Sequence, residues 1–198
     1  YTTIKDTHLL FEGLTPETEY KFQLRAVNKS GVSGWTHIVA KTKSNPLEWA
    51  LTGVTATTSC PNQGGQGTDK LFDFDESNTW HTAWSTQAVP FEMVIDLNGL
   101  STLDKLQYVG RKDAGNGTIR KATICYSTNK EQWSAPVEVN WALTPDVKEF
   151  KFNGTPKARY IKINVTEAVG NFGSGLEMYI FKAPGSETYL SGDMNKDK

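Results

Sequence analysis

Within one short stretch the chain carries Asp73, Asp75, Glu76, Asn78 and Thr79, hard oxygen donors whose charges repel one another unless a cation or solvent relieves them. Calcium suits this set. It takes about six to eight oxygens from carboxylates, amide side chains and backbone carbonyls, so an irregular loop can supply most of its shell. A solvated acidic turn has the same composition, and the residues alone leave both readings open. Catalysis fits them poorly, because glycoside hydrolysis needs two carboxylates opposed across a cleft, about 5 to 10 Å apart, rather than crowded into one loop. No Ser-His-Asp or Cys-His arrangement appears in context either.

Other chemistry-bearing residues are sparse. Cys60 and Cys125 are the only two cysteines; they allow at most one disulfide and belong to no CxxC or Cys/His metal pattern. The glycines of Ser59-Cys60-Pro61-Asn62-Gln63-Gly64-Gly65-Gln66-Gly67 do not follow a strand-to-helix GxGxxG or GxxxxGK[ST] arrangement, so a phosphate cradle has no support. That loop instead offers amide groups on a backbone expected to be mobile.

Residues of this kind need a scaffold, and the scaffold reads as all-β. Period-2 runs broken by turn residues occur at 8–12, 18–27, 36–42, 91–97, 103–109, 119–127, 147–152, 159–166 and 176–182. Asn-Gly pairs at 98–99, 116–117 and 153–154 predict tight turns. No stretch sustains a helical period, which excludes a parallel α/β sheet and leaves antiparallel sandwiches or barrels. Alternation stops at Lys43-Ser44-Asn45-Pro46 and again at Pro184-Gly185-Ser186, dividing the 198 residues into 1–45, 46–183 and 184–198.

Charge argues against two classes of partner. With 21 Lys+Arg against 22 Asp+Glu, the net charge is −1, without the basic excess that draws nucleic acid or anionic lipid. No apolar run reaches 18 residues, and Tyr1 to Asp6 lack the regions of a signal peptide, so the piece reads as soluble while its parent is free to be secreted.

Leu14-Thr15-Pro16-Glu17-Thr18-Glu19-Tyr20, followed by Phe22, Leu24, Ala26 and Val27 and then by Asn28-Lys29-Ser30-Gly31-Val32-Ser33, resembles the end of a fibronectin type III domain. The resemblance makes Tyr20 a tyrosine corner, structural rather than catalytic. That family needs seven strands, so its first half is missing here and the chain reads as a fragment of something larger. Half a sandwich leaves an apolar face uncovered, and this part is expected to be poorly ordered or to pair with another copy.

Seven further segments occur in order: Leu71 to Thr82, Ile95-Asp96-Leu97, Tyr108-Val109-Gly110-Arg111, Ser127-Thr128-Asn129, Trp133, Ala158-Arg159-Tyr160-Ile161 and Leu176-Glu177. Together they resemble a discoidin (coagulation factor V/VIII type C) domain, whose bacterial relatives include the family 32 carbohydrate-binding modules of secreted glycoside hydrolases. The resemblance implies a jelly-roll β-sandwich with ligand-holding loops at one end. It also implies a structural calcium held by Leu71 (or Lys70), Asp73, Asp75 or Asn78, with Glu177 on the last strand closing the shell. Where Phe74 stands the family usually has Gly, which makes the path of that loop an open point.

The same resemblance places His81, Arg111, Asn116 and Phe172 at the ligand-binding end, the His, Arg, Asn and aromatic set of galactose-binding members. Their chemistry suits a sugar: Arg forks onto hydroxyls, His and Asn donate and accept, and an aromatic ring covers the apolar side of a pyranose. Trp84 borders this group, and Gln63 stands in the loop that forms one wall. Competing structural roles remain: Arg111 paired with Asp113, and His81 as a satisfied structural histidine. Trp80 and Trp133 are expected in the core. The tail, Gly192-Asp193-Met194-Asn195-Lys196-Asp197-Lys198, resembles the start of a dockerin repeat, although Lys198 stands where that loop wants Gly and a loose chain end explains the segment better.

These readings predict a non-catalytic, weakly binding module for terminal galactose or N-acetylhexosamine, with a dissociation constant on the order of 0.1 to 1 mM. It would be attached to the catalytic domain of a larger bacterial glycoside hydrolase, secreted, periplasmic or at the cell surface. The alternative is a discoidin-type adhesion domain that binds protein or membrane; membrane binding would want basic residues around exposed aliphatics, and residues 47–183 carry a net −2. A non-binding spacer is the third reading.

Overall fold

The computed structural model describes residue 11 and residues 13–184, and the chain divides between Glu48 and Trp49 into two compact units. The dockerin-like tail and most of the 8–12 run lie outside the described residues.

In the first unit β1 (Glu19–Leu24) hands over to a small hairpin of β2 (Val27–Asn28) and β3 (Gly31–Val32), and β4 (Thr36–Lys41) returns antiparallel to β1. The hairpin closes where Asn28 Oδ1 accepts the Ser30 N–H at 2.8 Å, a side-chain mimic of a backbone turn. Tyr20 accepts the Thr15 N–H on its hydroxyl at 2.9 Å. None of the described residues of this unit is buried; Leu24, Val27, Val32, Ile38 and Val39 are all at least half exposed.

The second unit is all-β, with only two single-turn 3₁₀ segments, Thr68–Leu71 and Val169–Asn171, among its described residues. Its strands are β5 (Thr55–Thr58), β6 (Trp80–His81), β7 (Phe91–Val109), β8 (Ile119–Ser127), β9 (Val137–Asn140), β10 (Lys148–Lys151), β11 (Lys157–Ala168), β12 (Ser174–Gly175) and β13 (Glu177–Lys182). The 19-residue β7 ties the sandwich together. Its first half pairs with β5 and β11, extended by β8 and β9, while its second half pairs with β10 and β13. Phe91, Met93, Ile95 and Leu97 point inward at period 2; after the break at Asn98-Gly99 the buried positions resume at Leu103, Leu106 and Tyr108. The tight turn expected at Asn98-Gly99 falls inside one strand, as an irregularity of β7 rather than a break between the 91–97 and 103–109 runs. Asn98 takes the left-handed conformation (φ 60°), and its N–H donates to Asp96 Oδ1 at 3.0 Å. Asn98 supplies the positive φ it favours, and residues 97–100 stand at the register shift between Ala158 and Tyr160 of β11; β7 passes to its other partners from Leu103 onward. Gly154 (φ 70°) lies between β10 and β11, in the turn expected there.

Trp80 is fully buried, as expected, its indole edge-on to Phe91. The expectation for Trp133 is corrected: it is half-buried and lies outside the core cluster. Ser127 and Asn129 side chains fold the segment after β8 into turns. The Trp133 ring then meets Lys162 Nζ, 4.4 Å away, on a strand whose neighbours Ile161 and Ile163 point inward. An indole with a cation over its face and its N–H on the Lys130 carbonyl is satisfied without entering the core.

Candidate functional site

Two-residue β6 sets the site. Its Trp80 is anchored inward, with the indole N–H donating to Asn62 Oδ1 at 2.9 Å. Alternation along a strand turns the next side chain, His81, the other way. His81 is buried (4% exposed), and its Nδ1 lies 2.6 Å from the Thr82 carbonyl oxygen. A carbonyl only accepts, so Nδ1 carries the proton and Nε2 is the nitrogen left for a ligand. The imidazole is walled on two sides, by Trp84 edge-on at 6.1 Å and by Phe172 at 5.7 Å. Trp84 is 61% exposed and Phe172 is half-buried.

The 59–67 loop is strapped down rather than mobile, which corrects that expectation. Gln63 N–H donates to the His81 carbonyl at 2.8 Å, His81 N–H to the Gln66 carbonyl at 3.2 Å, and Ala83 N–H to the Pro61 carbonyl at 2.8 Å. Gln63 Oε1 accepts the Trp84 N–H at 3.1 Å. The oxygen of this amide therefore positions Trp84.

On the other side, β12 pairs with β6, Ser174 opposite His81. The turn before it holds Phe172 because Gly170 and Asn171 adopt φ of 67° and 60° and because buried Gly173 lets the chain pass Trp80 and Phe91, where a Cβ would clash. The same Ser174 reaches the loop after β7: its N–H donates to the Gly117 carbonyl at 2.8 Å and its hydroxyl to the Asn116 carbonyl at 2.9 Å. Asn116 Oδ1 lies against Gly170.

Arg111 opens that loop. Its Nε and Nη2 donate to Asp113 Oδ1 and Oδ2 at 3.1 and 3.2 Å, so the pairing weighed from sequence is present. It leaves the Nη1 donors outside the fork. Hydrogen bonding to Arg111 holds the Asp113 carboxyl below its usual range. Thus Trp84, Phe172 and Gln63 each contact His81, Asn116 joins them through Gly170 and Ser174, and Arg111 shares the Asn116 loop. Ser174 and Asp113 were not read as site residues; an Asp two positions before Gly115 was the sequence signal for the second, and Ser174 left none.

The acidic loop lies between Leu71, which is fully buried, and β6. Asn78 Nδ2 donates to Asp73 Oδ2 at 3.1 Å and to Asp75 Oδ2 at 2.9 Å, while Lys70 Nζ stands 3.7 Å from Asp73. Asp75 also accepts the Ser77 N–H at 2.9 Å, and hydrogen bonding of this kind keeps its carboxyl below the usual range. Phe74 does take a positive φ, 62°, and packs its ring 5.6 Å from Tyr179, whose hydroxyl donates to Glu76. Glu177 is fully buried; one oxygen accepts the Met178 N–H at 3.0 Å, while the other, Oε2, has no well-formed hydrogen bond, although the backbone of Phe74 and Asp75 approaches the carboxylate. Burial, with the nearby Asp73 carboxylate, pushes the Glu177 carboxyl above its usual range. A buried carboxylate oxygen without a well-formed hydrogen bond, near a second carboxylate, is a donor set a hard cation satisfies. Among the described residues no three His, Cys, Asp or Glu side chains converge, so backbone carbonyls and water would complete such a shell.

Residues 53–178 match the F5/8 type C domain. The chain belongs to that family. CpGH89CBM32-5 from Clostridium perfringens, solved in complex with GalNAc-β-1,3-galactose, is 28% identical with a TM-score of 0.61, over 67% of this chain and 99% of that one. CBM32-1 from a family 31 glycoside hydrolase of the same organism is 25% identical with a TM-score of 0.63, over 70% of this F5/8 type C chain and 100% of its own. A sialidase of Micromonospora viridifaciens is 29% identical over 96 residues, 47% of this chain and 15% of the sialidase. The F5/8 type C chain thus spans a small part of that curated relative.

Proposed function

We propose that the second unit is a non-catalytic glycan-binding module that holds a terminal galactose or N-acetylhexosamine against His81, Arg111, Asn116 and the rings of Phe172 and Trp84. The observation that carries this reading is the imidazole of His81, pinned through Nδ1, which leaves Nε2 as its acceptor, and flanked by the rings of Trp84 and Phe172. Nε2 accepts a sugar hydroxyl, Arg111 and Asn116 donate to others, and the exposed Trp84 face covers the apolar side of the ring. The similarity to a module solved with GalNAc-β-1,3-galactose supports the sugar class. A single sugar held this way gives a dissociation constant on the order of 0.1 to 1 mM, made useful by avidity within a secreted, periplasmic or cell-surface bacterial glycoside hydrolase.

Asp73, Glu177 and the Leu71 carbonyl, with Asp75 or Asn78, would hold a structural calcium. When bound, the ion supplies the positive charge that the buried Glu177 carboxylate lacks. Tyr20 and the β1–β4 ladder support reading the first unit as the closing strands of a fibronectin type III domain. Retention of the wild-type chain on an immobilised terminal-galactose or N-acetylhexosamine glycan, lost in Arg111→Ala at unchanged melting temperature, tests the module; equal retention of the variant contradicts the site.

A further inference from the structure

Asp113 is exposed, and its carboxylate faces back along its own loop. Both of its oxygens are engaged by Arg111, in a side-on fork through Nε and Nη2, and Oδ1 also accepts the Gly115 N–H at 2.9 Å. One side chain therefore fixes the guanidinium plane and closes the turn that leads into Asn116. The turn depends on it locally: Ala114 adopts φ 48°, a conformation Ala rarely takes, with its N–H on the Arg111 carbonyl at 2.9 Å. The Gly115 carbonyl then accepts the Thr118 N–H at 3.1 Å, and Gly117 N–H reaches Val169, beside the Phe172 turn.

We propose that Asp113 is a positioning residue of the glycan site, holding Arg111 and the Asn116 loop in the ligand-ready arrangement without touching the ligand. This rests on the glycan reading above. A free arginine side chain loses rotamer freedom when it binds a hydroxyl, and the Asp113 fork removes that cost beforehand while leaving Nη1 for the sugar. As an exposed pair it adds little to stability, so its effect falls on affinity.

The test titrates methyl β-galactoside and N-acetylgalactosamine into the wild-type chain, Arg111→Ala, Asp113→Ala and Asp113→Asn, with Arg Nε–Hε signals followed by NMR. Asp113→Ala is expected to weaken binding about tenfold at unchanged melting temperature, and Asp113→Asn, which keeps an acceptor for Gly115, by less. The pH profile separates positioning from mere structure. Arg111 is the charged group facing Asp113; the carboxylate it stabilises stays ionised above the ordinary Asp value of about 3.9 and is lost only below it. Wild-type affinity is expected to fall as pH drops through that lower range, with the additional fall absent in Asp113→Asn. Binding by Asp113→Ala equal to wild type, while Arg111→Ala loses it, overturns the proposal. Absence of sugar binding by the wild type counts against the glycan reading instead, and the Arg111 Nε–Hε signal then decides: unchanged in Asp113→Ala, it overturns the positioning role as well.

Discussion

The hydroxyl of Ser174 donates to the carbonyl oxygen of Asn116 at 2.9 Å, while the Ser174 backbone lies opposite His81 in the β6–β12 ladder. One fully buried serine therefore joins the loop that carries Arg111 and Asn116 to the strand that carries His81. Ser174→Ala removes the donor and leaves the Asn116 carbonyl short of this partner, at a cost of about 1 to 2 kcal/mol. Urea denaturation should show that loss, and glycan affinity should fall several-fold with it; full affinity in a destabilised variant contradicts the coupling.

Gly170 is the second joint. Its φ of +67° disfavours any Cβ, and a Cβ there would meet the Asn116 amide oxygen and approach Phe172 Cδ2 to 3.3 Å. Gly170→Ala should cost about 1 to 2 kcal/mol in backbone conformation alone and should displace Asn116, reducing glycan binding by more than tenfold. Calorimetric titration beside a melting curve checks both; unaltered binding would place Asn116 outside the site.

Glu177 gives a prediction whose sign depends on metal. Burial first, and Asp73 second, raise its folded-state pKa, so the native state binds this proton more tightly than the unfolded chain. Without calcium, stability is then greatest at low pH and declines as pH rises from the unfolded value through the raised folded value. In chelator, Glu177→Gln should match or exceed the wild-type melting temperature at pH 7, and the difference should shrink towards pH 4. In calcium the order should reverse, because the ion binds the wild-type native state. A variant equally destabilised in calcium and in chelator removes the metal from the account.

The extent to which this architecture was legible follows from where its information lies. Phe91, Met93, Ile95 and Leu97 announce a half-buried strand because alternation is local, and the order of motifs from Leu71 to Glu177 carried the family. At Asn98-Gly99 the local signal marks a turn but not its setting, because one left-handed Asn serves an irregularity within β7 as readily as a loop between strands. Trp133 misled because a large ring is satisfied under Lys162 as well as in a core. The strands at Thr55–Thr58, Val137–Asn140 and Ser174–Gly175 are two to four residues long, too short for periodicity. What Ser174 does depends on residues distant in sequence, and only the fold brings them together.

The most direct test of the glycan account is a calcium-buffered glycan-array screen followed by titration of the best terminal-galactose or N-acetylhexosamine hit into the wild-type chain and His81→Ala. The account predicts selective binding by the wild type, on the order of 0.1 to 1 mM, and its loss in the folded variant. A folded wild-type chain silent across the array, or a His81→Ala variant that binds as well as its parent, would contradict it.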